Sequence, residues 1–487
     1  MLLWFVIIYW IISVGIGLWA AMRVKNTADY AVAGRSLPLY IVTATVFATW
    51  FGSETVLGIP ATFLREGLGG VIADPFGSSM CLILVGLFFA RPLYRMQLLT
   101  IGDFYRNKYG RTVETLTTLC IVLSYLGWVA AQISALGLVF HVVSEGAMSQ
   151  STGMIVGAST VLIYTMWGGM WAVAITDFLQ MIIIVIGMLY IGWDVSQLAG
   201  GVTAVVSHAA DAGKFATFLP EASLAGILGF TAAAITMMLG SIPQQDVFQR
   251  VASSKDERTA GRASILGGCL YFCFAFIPMF LAYSATLIDP QLVQKLIDGD
   301  KQSQLILPNM ILNHAPLFAQ VMFFGALLSA IKSCASATLL APSVTFTENI
   351  LRPAFKHLGD RQLLRLMRIV VLCFTVLVTL FALNSQLSIY KMVENAYKVT
   401  LVSAFVPLVF GLYWKRANTQ GALAAIVLGL ATWIWLEILA PTAVCPPQLA
   451  GFLAALFGMI AGSLAPLVIR HQPASHAAAH PRHPVSR

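Results

Sequence analysis

The sequence predicts an all-α, polytopic membrane protein, and three observations carry that expectation. The 487-residue chain is 58% hydrophobic and only 10% charged, against about 25% charged residues in ordinary soluble domains. Its mean hydropathy is +0.82, and its apolar stretches recur near the roughly 20-residue length that spans a bilayer as a helix. Its basic residues crowd onto alternate connections. Composition therefore excludes a soluble enzyme, a nucleic-acid-binding protein and a disordered chain. The seven cysteines (81, 120, 269, 273, 334, 373, 445) have neither zinc-site nor disulfide-framework spacing.

Taken in order, the apolar runs between polar breaks give thirteen expected helices: 2–22, 39–66, 74–95, 113–143, 152–170, 172–197, 222–250, 262–289, 309–346, 366–385, 389–414, 419–440 and 448–469. The first is apolar from its start, and Arg23 and Lys25 follow it. That order is the reverse of a signal peptide, so a retained helix with its N-terminus outside is expected. Gly168-Gly169 is read as a short turn between two spans. With this orientation, 22 Lys and Arg residues fall on cytoplasmic connections and four (Arg65, Lys214, Lys295, Lys301) on outer ones. So steep a positive-inside bias explains the net charge of +8 as topology, with the C-terminus cytoplasmic and the chain in the plasma (inner) membrane. Residues 1–470 read as one transmembrane domain, and the histidine-bearing stretch 471–487 as a disordered tail.

Two segments are interrupted in corresponding places. The second carries Phe51-Gly52-Ser53-Glu54 and Gly58-Ile59-Pro60; the seventh carries Gly240-Ser241-Ile242-Pro243-Gln244-Gln245-Asp246. Broken helices in inverted halves mark the midplane site of secondary transporters. The five-segment offset suggests repeats over about 39–197 and 222–414.

Specific stretches then resemble the sodium:solute symporter family over nearly the whole chain: Tyr30–Pro38, Gly168–Gln180, Gly240–Arg250, Gly325–Ser343 and Gly411–Gly421. Ala48-Thr49-Trp50, Gly86–Pro92 and Trp128–Gly137 look nearest to its high-affinity choline transporter branch. The resemblance implies a five-plus-five inverted-repeat core, alternating access and solute uptake driven by sodium. It implies a shared cation site at the carbonyls of Ala48, Phe51 and Ala326 and the hydroxyl of Ser329, with a second hydroxyl position occupied here by Ala330. It also implies a further site at Asp177, Ser333 and the position of Lys332. A methyl group cannot ligate sodium, and an intramembrane ammonium needs a partner or a function. Three readings of Lys332 stand open: a tethered cation paired with Asp177 and sodium-independent transport, a proton-coupled lysine, or a structural ammonium beside a weakened sodium site.

For the solute, Trp50 adjoins the first break and Trp128 lies mid-helix. Aromatic faces attract quaternary ammonium groups, and in the choline branch tryptophans at these positions are expected to hold one. A third expected aromatic is Gln244 here. Gln244, Glu54, Asp74, Gln245 and Asp246 are further candidates for a polar or cationic solute, with Asp74 equally readable as a surface helix cap. Glu394 with Lys391 or Lys398 reads as an ion pair across one helical turn. No catalytic set, resident cofactor or metal motif is recognised, leaving Na+ or H+ as the candidate coupling ion. The expected partners are a small solute and lipid. An ordinary sodium symporter and a transporter-like sensor domain remain the alternatives.

Overall fold

The computed structural model describes residues 2–355 and 357–469, so the expected tail 471–487 lies outside the described residues. The described chain is helical. In order it forms α1 (Leu2–Ala21), α2 (Leu39–Trp50), α3 (Glu54–Arg95), α4 (Ile101–Tyr109), α5 (Arg111–Val143), α6 (Gln150–Leu198), α7 (Leu224–Gly240), α8 (Gln245–Ser253), α9 (Glu257–Ile288), α10 (Leu317–Leu351), α11 (Asp360–Asn384), α12 (Ile389–Tyr413), α13 (Thr419–Leu439) and α14 (Pro447–Leu464). Among the described residues, ten helices are long and apolar enough to cross a bilayer, or eleven if the bent pair α7–α8 is one span. That count leaves the thirteen expected helices unconfirmed, because it joins segments that the sequence reading divides.

One such join, α6, has a visible physical break. The 49 residues of α6 would be about 74 Å long if straight, far beyond a hydrocarbon core of about 30 Å. They are interrupted at Gly169 (φ +48°, ψ −144°), where a Cβ would lie 2.5 Å from the Tyr30 carbonyl. Only glycine suits that conformation and that approach. The expected turn at Gly168-Gly169 is therefore a feature of the backbone. The expected segment 309–346 is two helices, Ile306–His314 and α10, with Pro316 capping the second.

The apolar and polar residues are distributed inside out. Trp4, Ile11, Trp435, Ile438 and Phe457 are each at least 65% exposed, as suits helices solvated by lipid tails. The interior buries Asp177, Asp246, Lys332 and Ser333 at 0% exposure. Helix α10 packs along α5 and α6, α12 lies against α5, and α9 against α2. Helix α1 packs on α6 and α10, which places its inner face beside the polar interior.

Candidate transport site

The two breaks are real and are built differently. Helix α2 ends at Trp50, and Phe51 leaves helical geometry (φ −83°, ψ 73°). The Gly52 amide turns back to the Trp50 carbonyl at 3.0 Å, so it does not reach the carbonyl of Ala48, its partner in a continuous helix. Gly52 also lets the break approach α10: a Cβ there would come within 2.9 Å of Cys334 Sγ and 2.7 Å of the Glu54 carboxylate. The second break bends α7 against α8 by 44°, around Pro243.

Beside these breaks lies a closed aromatic group. Trp50 and Trp128 meet edge to face at 5.9 Å, and the Tyr397 ring lies 6.1 Å from Trp50 and 5.4 Å from Trp128. Tyr397 from α12 thus completes a three-ring wall in which Gln244 takes no part. The Gln244 amide instead donates to Ser124 Oγ at 2.9 Å and Thr400 Oγ1 at 3.3 Å. Glu54 accepts from Trp128 Nε1 at 3.1 Å and Gln132 Nε2 at 2.7 Å. Asp74 is 1% exposed and accepts from the Tyr271 hydroxyl at 2.6 Å. It is an interior carboxyl, and the surface-cap reading falls away. Asp246 accepts from the Tyr125 hydroxyl, while its other oxygen is buried and without a protein partner among the described residues, as are Ser53 Oγ, Ser241 Oγ, Gln244 Oε1 and the Tyr397 hydroxyl. Buried polar atoms are normally paired, so these five mark where a polar ligand or water belongs. Gln245 points elsewhere: its carbonyl accepts from the Ile101 amide at 2.8 Å and caps α4. The expectation that it lines the cavity is corrected.

A second cluster is rich in oxygen. Asp177 on α6 accepts from Ser333 Oγ at 2.6 Å, from Thr49 Oγ1 at 3.5 Å and from Thr45 Oγ1. A carboxylate with three hydroxyls is the donor set that hard cations prefer. Arg250 joins this cluster to the aromatic one. It is 2% exposed and donates to Thr49 Oγ1 at 2.7 Å and to the Asp246 carbonyl at 3.0 Å. Sequence reasoning quoted Arg250 within a family stretch but gave it no role. An arginine four residues after an aspartate, next to a broken apolar segment, was the available signal.

Lys332 does not pair with Asp177. Its ammonium donates to Ser13 Oγ on α1 at 2.6 Å and lies 4.4 Å from the Trp10 ring centroid and 5.6 Å from those of Tyr9 and Tyr164. Of the three open readings of Lys332, the one that pairs it with Asp177 is not what the structure shows: α1, whose packing no motif announced, offers the ammonium two aromatic faces and a hydroxyl, and Tyr164 on α6 adds a third face. The shared cation position is altered as well. Ser329 Oγ donates to the Gly325 carbonyl at 2.7 Å and is joined to the Tyr9 hydroxyl at 2.5 Å. Ala326 faces Gly187, and Ala330 contributes only a methyl.

Near one end of the bundle a cavity of about 220 Å³ is lined by Arg65, Glu66, Asp300, Tyr390, Lys391 and Glu394, among others. Lys391 reaches Asp300 at 2.7 Å, and Arg65 pairs with the same carboxylate. Of the two partners expected for Glu394, Lys391 instead pairs with Asp300, 91 residues away, and among the described residues neither Lys391 nor Lys398 forms an ion pair with Glu394. These two cations, Lys391 first, hold the Asp300 carboxyl below the usual carboxylate range.

An all-helical bundle with two broken helices beside buried polar clusters has the architecture of a secondary transporter. It matches the substrate-bound outward-open state of a Na+-coupled sialic acid symporter with a TM-score of 0.80 at 19% identity, covering 95% of this chain and 97% of that one. It also matches the nucleobase-cation-symport-1 family transporter Mhp1 in a closed conformation, with a TM-score of 0.58 at 13% identity, covering 90% and 95%. The chain belongs to the sodium:solute symporter family, whose model matches residues 30–429. It is 30% identical to the human high affinity choline transporter 1 over 87% of this chain and 75% of that protein. It is 26% identical to the osmoregulated proline transporter of Bacillus subtilis over 95% and 94%, and 25% identical to the sodium/pantothenate symporter of Escherichia coli over 94% and 96%. It is a multi-pass membrane transporter and not an enzyme.

Proposed function

We propose that this protein takes up a small cationic organic solute of the quaternary-ammonium class, by alternating access between two inverted halves at about 39–197 and 222–414. The observation that carries this reading is the grouping of Trp50, Trp128 and Tyr397, with the Glu54 carboxylate bonded to Trp128 Nε1. A desolvated cation over such faces gains about 2 kcal/mol or more, and a nearby carboxylate adds charge complementarity. The similarity to choline transporters points the same way. Asp74, Gln244 and Asp246 add polar groups beside the box. The N-terminus is placed outside and the C-terminus in the cytoplasm of the plasma membrane, on the charge asymmetry of the connections.

The driving cation is assigned to Asp177, Ser333, Thr45 and Thr49. The position at Ala48, Phe51, Ala326 and Ser329 is a poor sodium site here, because Ala330 supplies no oxygen and Ser329 is engaged by Tyr9. The test is uptake into proteoliposomes of radiolabelled choline and of its uncharged isostere 3,3-dimethylbutanol, with and without an inward sodium gradient. Choline uptake that falls when Trp128→Leu or Asp177→Asn is introduced supports the reading. Equal handling of the charged and uncharged compounds would refute the cationic-solute assignment. Gradient-independent choline uptake would refute the sodium assignment alone.

A further inference from the structure

The first helix lies outside the proposed repeats, yet its inner face supplies most of what touches Lys332. Trp10 presents its ring at 4.4 Å, Tyr9 at 5.6 Å, and Ser13 takes a hydrogen bond at 2.6 Å. Among the described residues no carboxylate lies within 4 Å of this ammonium. The same helix engages Ser329, one turn before Lys332, through the Tyr9 hydroxyl. Ser333, the next residue, is bonded to Asp177. The amine is therefore held at the junction between the two possible cation positions and inside neither. Gln180, three residues after Asp177, is 2% exposed and its side chain faces the Tyr9 hydroxyl. Lys332 thus meets a hydroxyl and three aromatic faces, and apolar packing alone does not explain it.

We propose that Tyr9, Trp10 and Ser13 are positioning residues that fix Lys332 as a built-in cation, and that its charge keeps a sodium ion from the Ser329 position while leaving the Asp177 cluster free for one. This rests on the reading that the Asp177 cluster holds the driving cation. Two physical effects combine. A fixed positive charge one helical turn from Ser329 repels a second cation in a low-dielectric interior. The aromatic faces and Ser13 restrain the flexible side chain from swinging to Asp177, its strongest local attractor. The carrier is then limited to one bound sodium, with α1 setting that number.

The measurement is the amount of ²²Na+ bound at saturation by the purified full-length protein, with K+ as the replacement ion. One sodium is expected in the wild type, and two when the family's hydroxyls are restored as Ala330→Ser with Lys332→Ser. Trp10→Leu is expected to weaken sodium binding at least tenfold by releasing the ammonium toward Asp177. Adding Lys332→Met to Trp10→Leu is expected to restore wild-type affinity, which a merely structural role for Trp10 would not produce. Two sodium ions in the wild type would overturn the proposal. So would a single one in a folded Ala330→Ser/Lys332→Ser protein with a wild-type melting temperature. If that double variant does not fold, the Trp10→Leu pair decides alone: weakening without rescue overturns the proposal. A wild-type sodium that survives Asp177→Asn but is lost in Ser329→Ala overturns both the proposal and the Asp177 assignment. No sodium in the wild type with one in the double variant supports exclusion by Lys332 and overturns only the Asp177 assignment.

Discussion

Replacing Trp10 should expose how strongly α1 and Lys332 depend on each other. In the folded protein the Trp10 ring makes two energetically distinct contacts. One is to the Lys332 ammonium at 4.4 Å, worth about 2 kcal/mol for a desolvated cation over an indole. The other is an edge contact to Phe140 at 5.1 Å, worth about 1 kcal/mol beyond area burial. Trp10→Leu is therefore expected to cost about 3 kcal/mol when Lys332 is present. In a Lys332→Met background only the Phe140 contact is lost, so the same change should cost about 1 kcal/mol. The coupling energy from the double-mutant cycle is then about 2 kcal/mol. Lys332→Met alone should be neutral or stabilising, since an apolar side chain of similar length replaces a buried ionic group. The assay is equilibrium unfolding of the four proteins in mixed micelles with increasing SDS. A coupling energy below about 0.5 kcal/mol, or a Lys332→Met protein several kcal/mol less stable than wild type, would refute the argument that the aromatic cage holds a charged amine.

Three further outcomes follow from the geometry. Trp128→Leu removes one of three rings and the Nε1 bond to Glu54 at 3.1 Å, so choline affinity in a competition binding assay should fall about thirtyfold, the equivalent of about 2 kcal/mol; an unchanged affinity would place the solute elsewhere. Gly52→Ala puts a Cβ within 2.9 Å of Cys334 Sγ; transport should be lost and partly recovered by adding Cys334→Gly, and full activity of the single variant would contradict the tight packing at the break. Lys391 and Arg65 hold the Asp300 carboxyl below the usual carboxylate range. A lowered folded-state value means that the stabilisation is present above that pH and is lost as pH falls through the folded value. Iodide quenching of a pH-insensitive fluorophore attached at Thr62→Cys in the cavity should therefore stay constant from neutral pH down to about 4 and rise below it. A rise near pH 6 would implicate another group.

The breaks at Gly52 and Pro243 were legible because glycine, proline and polar residues inside apolar runs contradict an uninterrupted span. Trp50, Trp128, Glu54 and Asp74 were legible for the same reason, being polar or amphipathic groups at membrane depth. Tyr397 was missed because a tyrosine on an amphipathic helix has no local mark that separates a cavity wall from a lipid boundary. Gln245 was misplaced because adjacent residues at a helix start point in different directions: Gln244 turns to α5 and α12, Gln245 to α4. Lys391 was misassigned because spacing along one helix shows which partners are available nearby, and Asp300 arrives from a distant connection.

The sequence by itself determined that the protein is a helical membrane protein, where two of its helices break, and that a lysine lies within an apolar segment; its resemblance to the sodium:solute symporter family implied transport. The first three conclusions depend on hydrophobic length, charge placement and residue chemistry, all of which are local along the chain. Which partner each buried charge has was decided only by the tertiary structure. Asp177 gathers Thr45, Thr49 and Ser333, Arg250 bridges Thr49 to Asp246, and Lys332 turns to α1, more than 300 residues away. In a low-dielectric interior a charge must be met by whatever side chain the packing brings within a few ångströms, and helical spacing constrains only neighbours on the same helix. The identity of a charge is thus written in the sequence, but its compensation is set by how the helices pack.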